Sequence, residues 1–259
     1  MKRRIVRYES ERGPRWGMVE GQMVRELRGD PLGEWEPGPE VGPLAEATLL
    51  PPVAPTKILC VGRNYPAHAA EHGSEVPSEP LLFLKPPSAV VGPDVPILLP
   101  PQSAQVDYEA ELAVVIGCRC RDVRPEEAWT CVLGVTCAND VTARDLQRRD
   151  DQWTRAKGFD TFCPLGPWVV TGLSQAEVAD LAIICRVNGE IRQAGRTSEM
   201  AFSPADLIAY ASAVMTLEAG DLFLTGTPAG VGPLHPGDVV EVEVEGIGTL
   251  RNPVCKTGH

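Results

Sequence analysis

The chain has 259 residues, room for one large domain or one domain with a small appendage. Its 35 acidic residues against 24 Lys and Arg leave a net charge of -11, which argues against nucleic acid or an anionic membrane as a partner. No run of about 18 apolar residues appears, no apolar stretch follows the basic start MKRRIVRYES, and the eight cysteines contain no Cys-x-x-Cys pair. The expectation is a leaderless cytoplasmic protein with reduced thiols.

Residues 1–55 read as a small separate unit. RIVRYES and WGMVEGQMVREL suit short strands, and the Pro- and Gly-rich passages PLGEWEPGPEVGPL and LLPPVAPTK read as a linker. The main domain, 56–259, opens with the buried strand KILCVG. PAHAAEHG then predicts one or two helical turns, with Pro66 at the first position and Gly73 ending them. Three residues apart on those turns, His68 and Glu71 share a face, while His72 is read as facing elsewhere, toward solvent. LLFLK returns to strand and delivers Lys85 at its end.

VDYEAELAVVIG predicts a core strand in which Glu109 and Glu111 stand two apart and point to one face. DVRPEEAWTCVLG suits a short helix from about Pro125 to Gly134, and GVTCAND ends an apolar segment on Asp140. SQAEVADL has capping-box spacing between Ser174 and Glu177. The strongest helix is SPADLIAYASAVMTL, with Ser203 as cap and Leu207, Ile208, Ala211 and Met215 as its apolar stripe. AGDLFLTGTPAG and HPGDVVEVEVEGIGTL are turn and strand. Together with 25 Gly and 25 Pro, this pattern predicts a β-rich α+β domain with few, short helices.

Two sets of carboxylates need different readings. Glu241, Glu243 and Glu245 alternate with valines, as on a strand with one solvated face. The apolar run after Glu109 and Glu111 fills both faces, so these two charges need partners: an ion pair, or a metal. With Asp140 they form a hard oxygen set suited to Mg²⁺ or Mn²⁺, and also to Ca²⁺. Lys157 lies among apolar and Gly residues as a partly buried ammonium, for catalysis or for a simple salt bridge. Glu71 could orient His68 and raise its basicity. TGTPAGVG lacks the spacing and Lys of a phosphate loop and reads as a tight turn offering backbone donors and the Thr227 hydroxyl.

GRNYPAH at 62–68, FLKP at 83–86, DYEAEL at 107–112, NDVTARDLQ at 139–147, AKGFDTFCPLGP at 156–167 and TGTPAGVG at 225–232 together resemble the fumarylacetoacetate hydrolase family. The resemblance spans about residues 56–255, with 1–55 similar to the small domain appended to many bacterial members. It implies a mixed β-roll fold, a divalent metal, a homodimer and a small anionic 2-oxo acid substrate. It matches Glu109, Glu111 and Asp140 to the metal carboxylates, His68 and Glu71 to a lid dyad, and Lys157 to the lysine beside the metal. Arg63, Lys85, Arg144, Gln147 and Thr227 fall where substrate contacts are expected. The implied reaction is hydrolytic C–C cleavage of an acylpyruvate-like substrate. The alternative is isomerisation or decarboxylation of 2-hydroxyhepta-2,4-diene-1,7-dioate or oxaloacetate-type acids. A non-catalytic, metal-stabilised binding protein is the reading from another class.

Overall fold

The computed structural model describes residues 2–257. Its centre is the strand Ala110–Ile116, buried along its whole length. Alternate residues serve opposite faces: Leu112, Val114 and Ile116 join one apolar cluster, Ala113 and Val115 another. A strand covered on both sides has no solvated face, which is why its sequence shows no alternation of polar and apolar residues. The strand pairs with Val132–Asn139 on one side and Leu222–Leu224 on the other, both antiparallel. The sheet continues through Ile58–Gly62, which runs parallel to Leu222–Leu224, and ends at Leu81–Lys85.

In the other direction it passes through Cys163–Thr171 to Arg3–Tyr8, Arg15–Glu20 and Met23–Gly29. The N-terminal strands thus share a sheet with the rest of the chain, through the pairs Arg3 with Thr171 and Ile5 with Val169. They also carry their own apolar clusters, Val6, Tyr8, Val19 and Val24 on one face and Ile5, Met18 and Leu27 on the other. The passage read as a linker is corrected here. Trp35–Pro43 is a strand paired with Met23–Gly29, and Leu49–Leu50 pairs with Arg3–Tyr8. Its prolines confine Trp35–Pro43 to the outermost place in the sheet, with register shifts either side of Arg25.

A second sheet orders Glu190–Arg196, Ala182–Val187, Val239–Val244, Gly248–Lys256 and Ile97–Leu99. Val240, Val242 and Val244 bury into the main cluster, while Glu241 and Glu243 stay half-buried outside it, Glu243 pairing with Arg186 at 2.5 Å. The solvated-face reading of these glutamates therefore stands. A small third sheet joins Thr142–Ala143, Val106–Tyr108 and Gly232–Pro233. The helix beginning at Pro125 stops sooner than expected: Pro125–Ala128 passes into a tight turn, Trp129–Cys131, and Val132 is already strand. Pairing with Ile116 outweighs local helix propensity there.

Pro204–Val214 is the longest helix, and it buries Leu207, Ile208 and Ala211. Ser203 closes a reciprocal cap with Asp206, its hydroxyl accepting from the Asp206 N–H at 3.3 Å. Ser203→Ala is expected to cost about 1 kcal/mol, read as a lower urea midpoint at unchanged slope. Ser174 and Glu177 form the expected capping box as well. Among the described residues, no helix is long and apolar enough to cross a membrane.

Candidate active site

Glu109 occupies the break between the strands Val106–Tyr108 and Ala110–Ile116. Its N–H donates to the Asn139 side chain at 2.9 Å, and its C=O accepts from the Asp140 N–H at 2.9 Å. These bonds lock the end of one strand to the end of its partner. They bring Glu109, Glu111 and Asp140 together, with carboxylate oxygens within 4.8 Å of one another. All three are buried, at 4%, 1% and 1% exposure. Such a cluster persists only with compensating charge.

Three cations supply part of it. The Lys157 ammonium donates to Glu109 at 2.9 Å and to Asp140 at 2.6 Å. Lys85 donates to the other oxygen of Asp140 at 2.6 Å and to the Val141 carbonyl at 3.1 Å. Arg144 donates to Asp107 at 2.8 Å, to Glu109 at 2.5 Å and to Gln147 at 2.6 Å. Burial alone would push the Glu109 carboxyl up, but Lys157 and Arg144 outweigh it and hold the group well below the usual range. Burial opposes the charge of Lys157 too, and Asp140 and Glu109 outweigh it, so the lysine stays protonated.

Glu111 differs from its neighbours. It accepts from the Gly226 N–H at 2.7 Å, in a turn where Gly226 adopts the left-handed φ of +96°. Burial, then Asp140 and Glu109, push its carboxyl well above the ordinary value. An acidic group pressed against two carboxylates, in an all-oxygen donor set, is what a divalent cation relieves. The residues present therefore fit a hard divalent ion held by Glu109, Glu111 and Asp140.

A cavity of about 230 Å³ opens over this cluster, lined by Glu109, Glu111, Lys157, Arg144 and His68. His68 rides on the short helix Pro66–Glu71 and is 9% exposed. Burial lowers its pKa below the usual 6.5, with the opposing pull of Glu109 too weak to reverse it. Glu71 comes within 3.5 Å of His68 Nδ1, but that nitrogen has no hydrogen-bond partner. Both Glu71 oxygens instead accept from the Gly230 N–H at 3.2 Å. The pair is brought together without being bonded. His72 does not face elsewhere: four residues beyond His68, its ring meets that of His68 edge-on at 4.8 Å and lines the same cavity.

The remaining residues matched by resemblance divide in two. Arg63 and Gln147 line the cavity, Arg63 exposed at its rim in the left-handed region at φ 59°. Thr227 lines it as well, though its hydroxyl donates to the Ala110 carbonyl and accepts from Gln193. Lys85 lies beneath the carboxylates, occupied by Asp140 and Val141. Sequence reasoning missed three supports: Asp107, Asn139 and Gln193. Asp107 stands two before Glu109, in the same alternation, and was findable. Gln193 bonds the Ala110 N–H from 83 residues away and leaves no local signal.

The family profile described as Fumarylacetoacetate (FAA) hydrolase C-terminal matches residues 57–255, and that described as Rv2993c-like, N-terminal matches residues 3–52. The chain is 47% identical to Protein Rv2993c of Mycobacterium tuberculosis, over 98% of this chain and 99% of that one. It is 48% identical to the human protein named oxaloacetate tautomerase FAHD2A, mitochondrial, over 82% and 71%. The crystal structure of a 2-hydroxyhepta-2,4-diene-1,7-dioate isomerase from Mycobacterium marinum superposes with a TM-score of 0.91 at 46% identity, covering 99% and 100% of the two chains. With its β-rich sheets, buried acidic triad and ordered sequence blocks, the chain belongs to the fumarylacetoacetate hydrolase family.

Proposed function

We propose that this protein is a metal-dependent enzyme that moves a proton at the carbon beside the carbonyl of a small 2-oxo dicarboxylate, as an isomerase or tautomerase. The observation that carries this reading is His68: a buried imidazole favoured in its neutral form that lines the same cavity as the carboxylate–lysine cluster. A neutral imidazole takes a proton from carbon and returns it to a different atom without needing a nucleophilic water. Lys157, kept charged by its neighbours, stabilises the oxyanion that develops meanwhile. Arg63 and Arg148, both exposed at the rim, offer charge to the distal carboxylate. A divalent cation on Glu109, Glu111 and Asp140, with Mg²⁺ or Mn²⁺ suiting the donors, would supply Lewis acidity toward the 2-oxo carboxylate head. The human relative named as a tautomerase and the mycobacterial one named as an isomerase support the same class.

Hydrolytic cleavage of an acylpyruvate is the second reading, favoured by the 3.5 Å approach of Glu71 to His68, a distance from which the carboxylate could orient the imidazole toward a water. Product assays with Mg²⁺ separate the two. Faster enol–keto exchange of oxaloacetate, or an absorbance shift of a 2-hydroxydienedioate without fragmentation, is the expected result. Pyruvate and acetate from acetylpyruvate as the faster reaction would replace it with the hydrolase reading. Pyruvate and CO₂ from oxaloacetate would mark a decarboxylase.

A further inference from the structure

We infer that His68, Glu71 and His72 form a second metal site, for a borderline transition ion such as Zn²⁺, and that filling it shuts the enzyme off. The site is distinct from the acidic triad in both place and chemistry. One ligand atom from each of the three residues lies within 4.8 Å of the others. The imidazoles sit four residues apart at the end of one short helix, their rings 4.8 Å apart. His72 caps the C-terminus of that helix, and the ring contact with His68 brings a nitrogen of each imidazole within reach of one ion.

The second, independent observation is His68 Nδ1 itself. It is buried, it has no hydrogen-bond partner, and the Glu71 carboxylate approaches it to 3.5 Å. An unpaired polar atom in a buried position is costly, and a metal bond to it would remove the cost. The Glu71 oxygens accept only from the Gly230 N–H, at 3.2 Å, which leaves lone pairs for a cation. Two imidazoles and one carboxylate are the ligand set that binds zinc in three-ligand sites with an open fourth position. That set discriminates against Mg²⁺, which prefers oxygen donors, so the ion bound at Glu109, Glu111 and Asp140 would not compete for it.

The consequence for turnover rests on the proposed role of His68 as base. A metal-bound imidazole has no lone pair to accept a proton from carbon. Binding would also pin the short helix, through Glu71, to the turn at Gly230. The site thus makes the enzyme sensitive to excess transition metal while Mg²⁺ activates it.

The test uses the whole protein with saturating Mg²⁺ and His72→Ala for comparison, each turnover referred to that protein's own rate without Zn²⁺, because His72 lines the cavity although it takes no step in the proposed chemistry. Binding is read first, without substrate, from the visible absorption of added Co²⁺ and from calorimetric titration with Zn²⁺. Wild type should bind one ion with the intense bands of four-coordinate Co²⁺, and His72→Ala should bind it at least about tenfold more weakly. Equal affinity in the two proteins overturns the site. So does a thiolate charge-transfer band unaffected by His72→Ala, which would assign the ion to the exposed Cys118 or Cys255. Turnover is read second: Zn²⁺ should inhibit wild type and spare His72→Ala. Inhibition of both alike, relieved by more Mg²⁺, would mean that zinc acts by displacing the ion of the acidic triad. The binding measurement stands even if the isomerase reading fails, because it needs no reaction.

Discussion

His68→Ala should abolish turnover while leaving Mg²⁺ binding intact. General-base catalysis by a positioned imidazole contributes about 10²–10⁴-fold, and the loss in kcat should fall in that range. His68 touches none of the triad through a hydrogen bond, so calorimetric Mg²⁺ affinity should not change. Its pKa is lowered by burial, so the base form dominates at pH 7 and activity is lost only as pH falls through a value below 6.5. A kcat/KM profile of wild type should therefore show its acid limb on the acid side of an ordinary histidine. Turnover of His68→Ala within about threefold of wild type would remove His68 from the mechanism, because the lower bound for such a base is about 10².

Asp140→Ala should cost about 3–5 kcal/mol of stability. Asp140 is the shared partner of two buried ammonium groups, Lys85 on one oxygen and Lys157 on the other. Its removal leaves Lys85 with the Val141 carbonyl and Lys157 with Glu109. Such a charge, left without its counter-ion away from water, costs far more than the pair contributed when intact. Chemical denaturation without divalent ions measures this directly. Glu111→Gln is the informative contrast, since Glu111 resists ionisation and bonds a backbone N–H. That variant should unfold close to wild type without metal and lose the stabilisation that Mg²⁺ confers on wild type. If Asp140→Ala were no less stable than Glu111→Gln, the lysines would be finding other partners, and the ion-pair account of the cluster would fail.

Much of this was legible in the chain. Glu109 and Glu111 break the pattern of the strand that contains them, and a broken pattern in a buried strand is a local signal. The capping residues Ser174 and Ser203 announce their helices because capping is settled within four residues. The edge strand Trp35–Pro43 was not legible. Its prolines and glycines look like a linker until Met23–Gly29 is placed beside it, and sheet pairing is a property of two segments. His72 shows the same limit: it is exposed, as expected, but its ring contact with His68 is set by how the chain leaves the short helix.

What the amino-acid sequence by itself determined is the donor chemistry: three carboxylates, a lysine and a histidine in family order, with Glu111 in a strand whose burial follows from its apolar neighbours. Tertiary structure decided how those groups are spent. It tied Lys85 and Lys157 to Asp140, left Glu111 without a lysine or arginine bonded to it, committed the Thr227 hydroxyl to Ala110, and set His68 against His72 with its Nδ1 unpaired. The physical reason is range. Residue type and local spacing act over a few residues, whereas charge pairing and hydrogen-bond satisfaction in a buried site are settled by whichever distant segment the fold brings within about 3 Å.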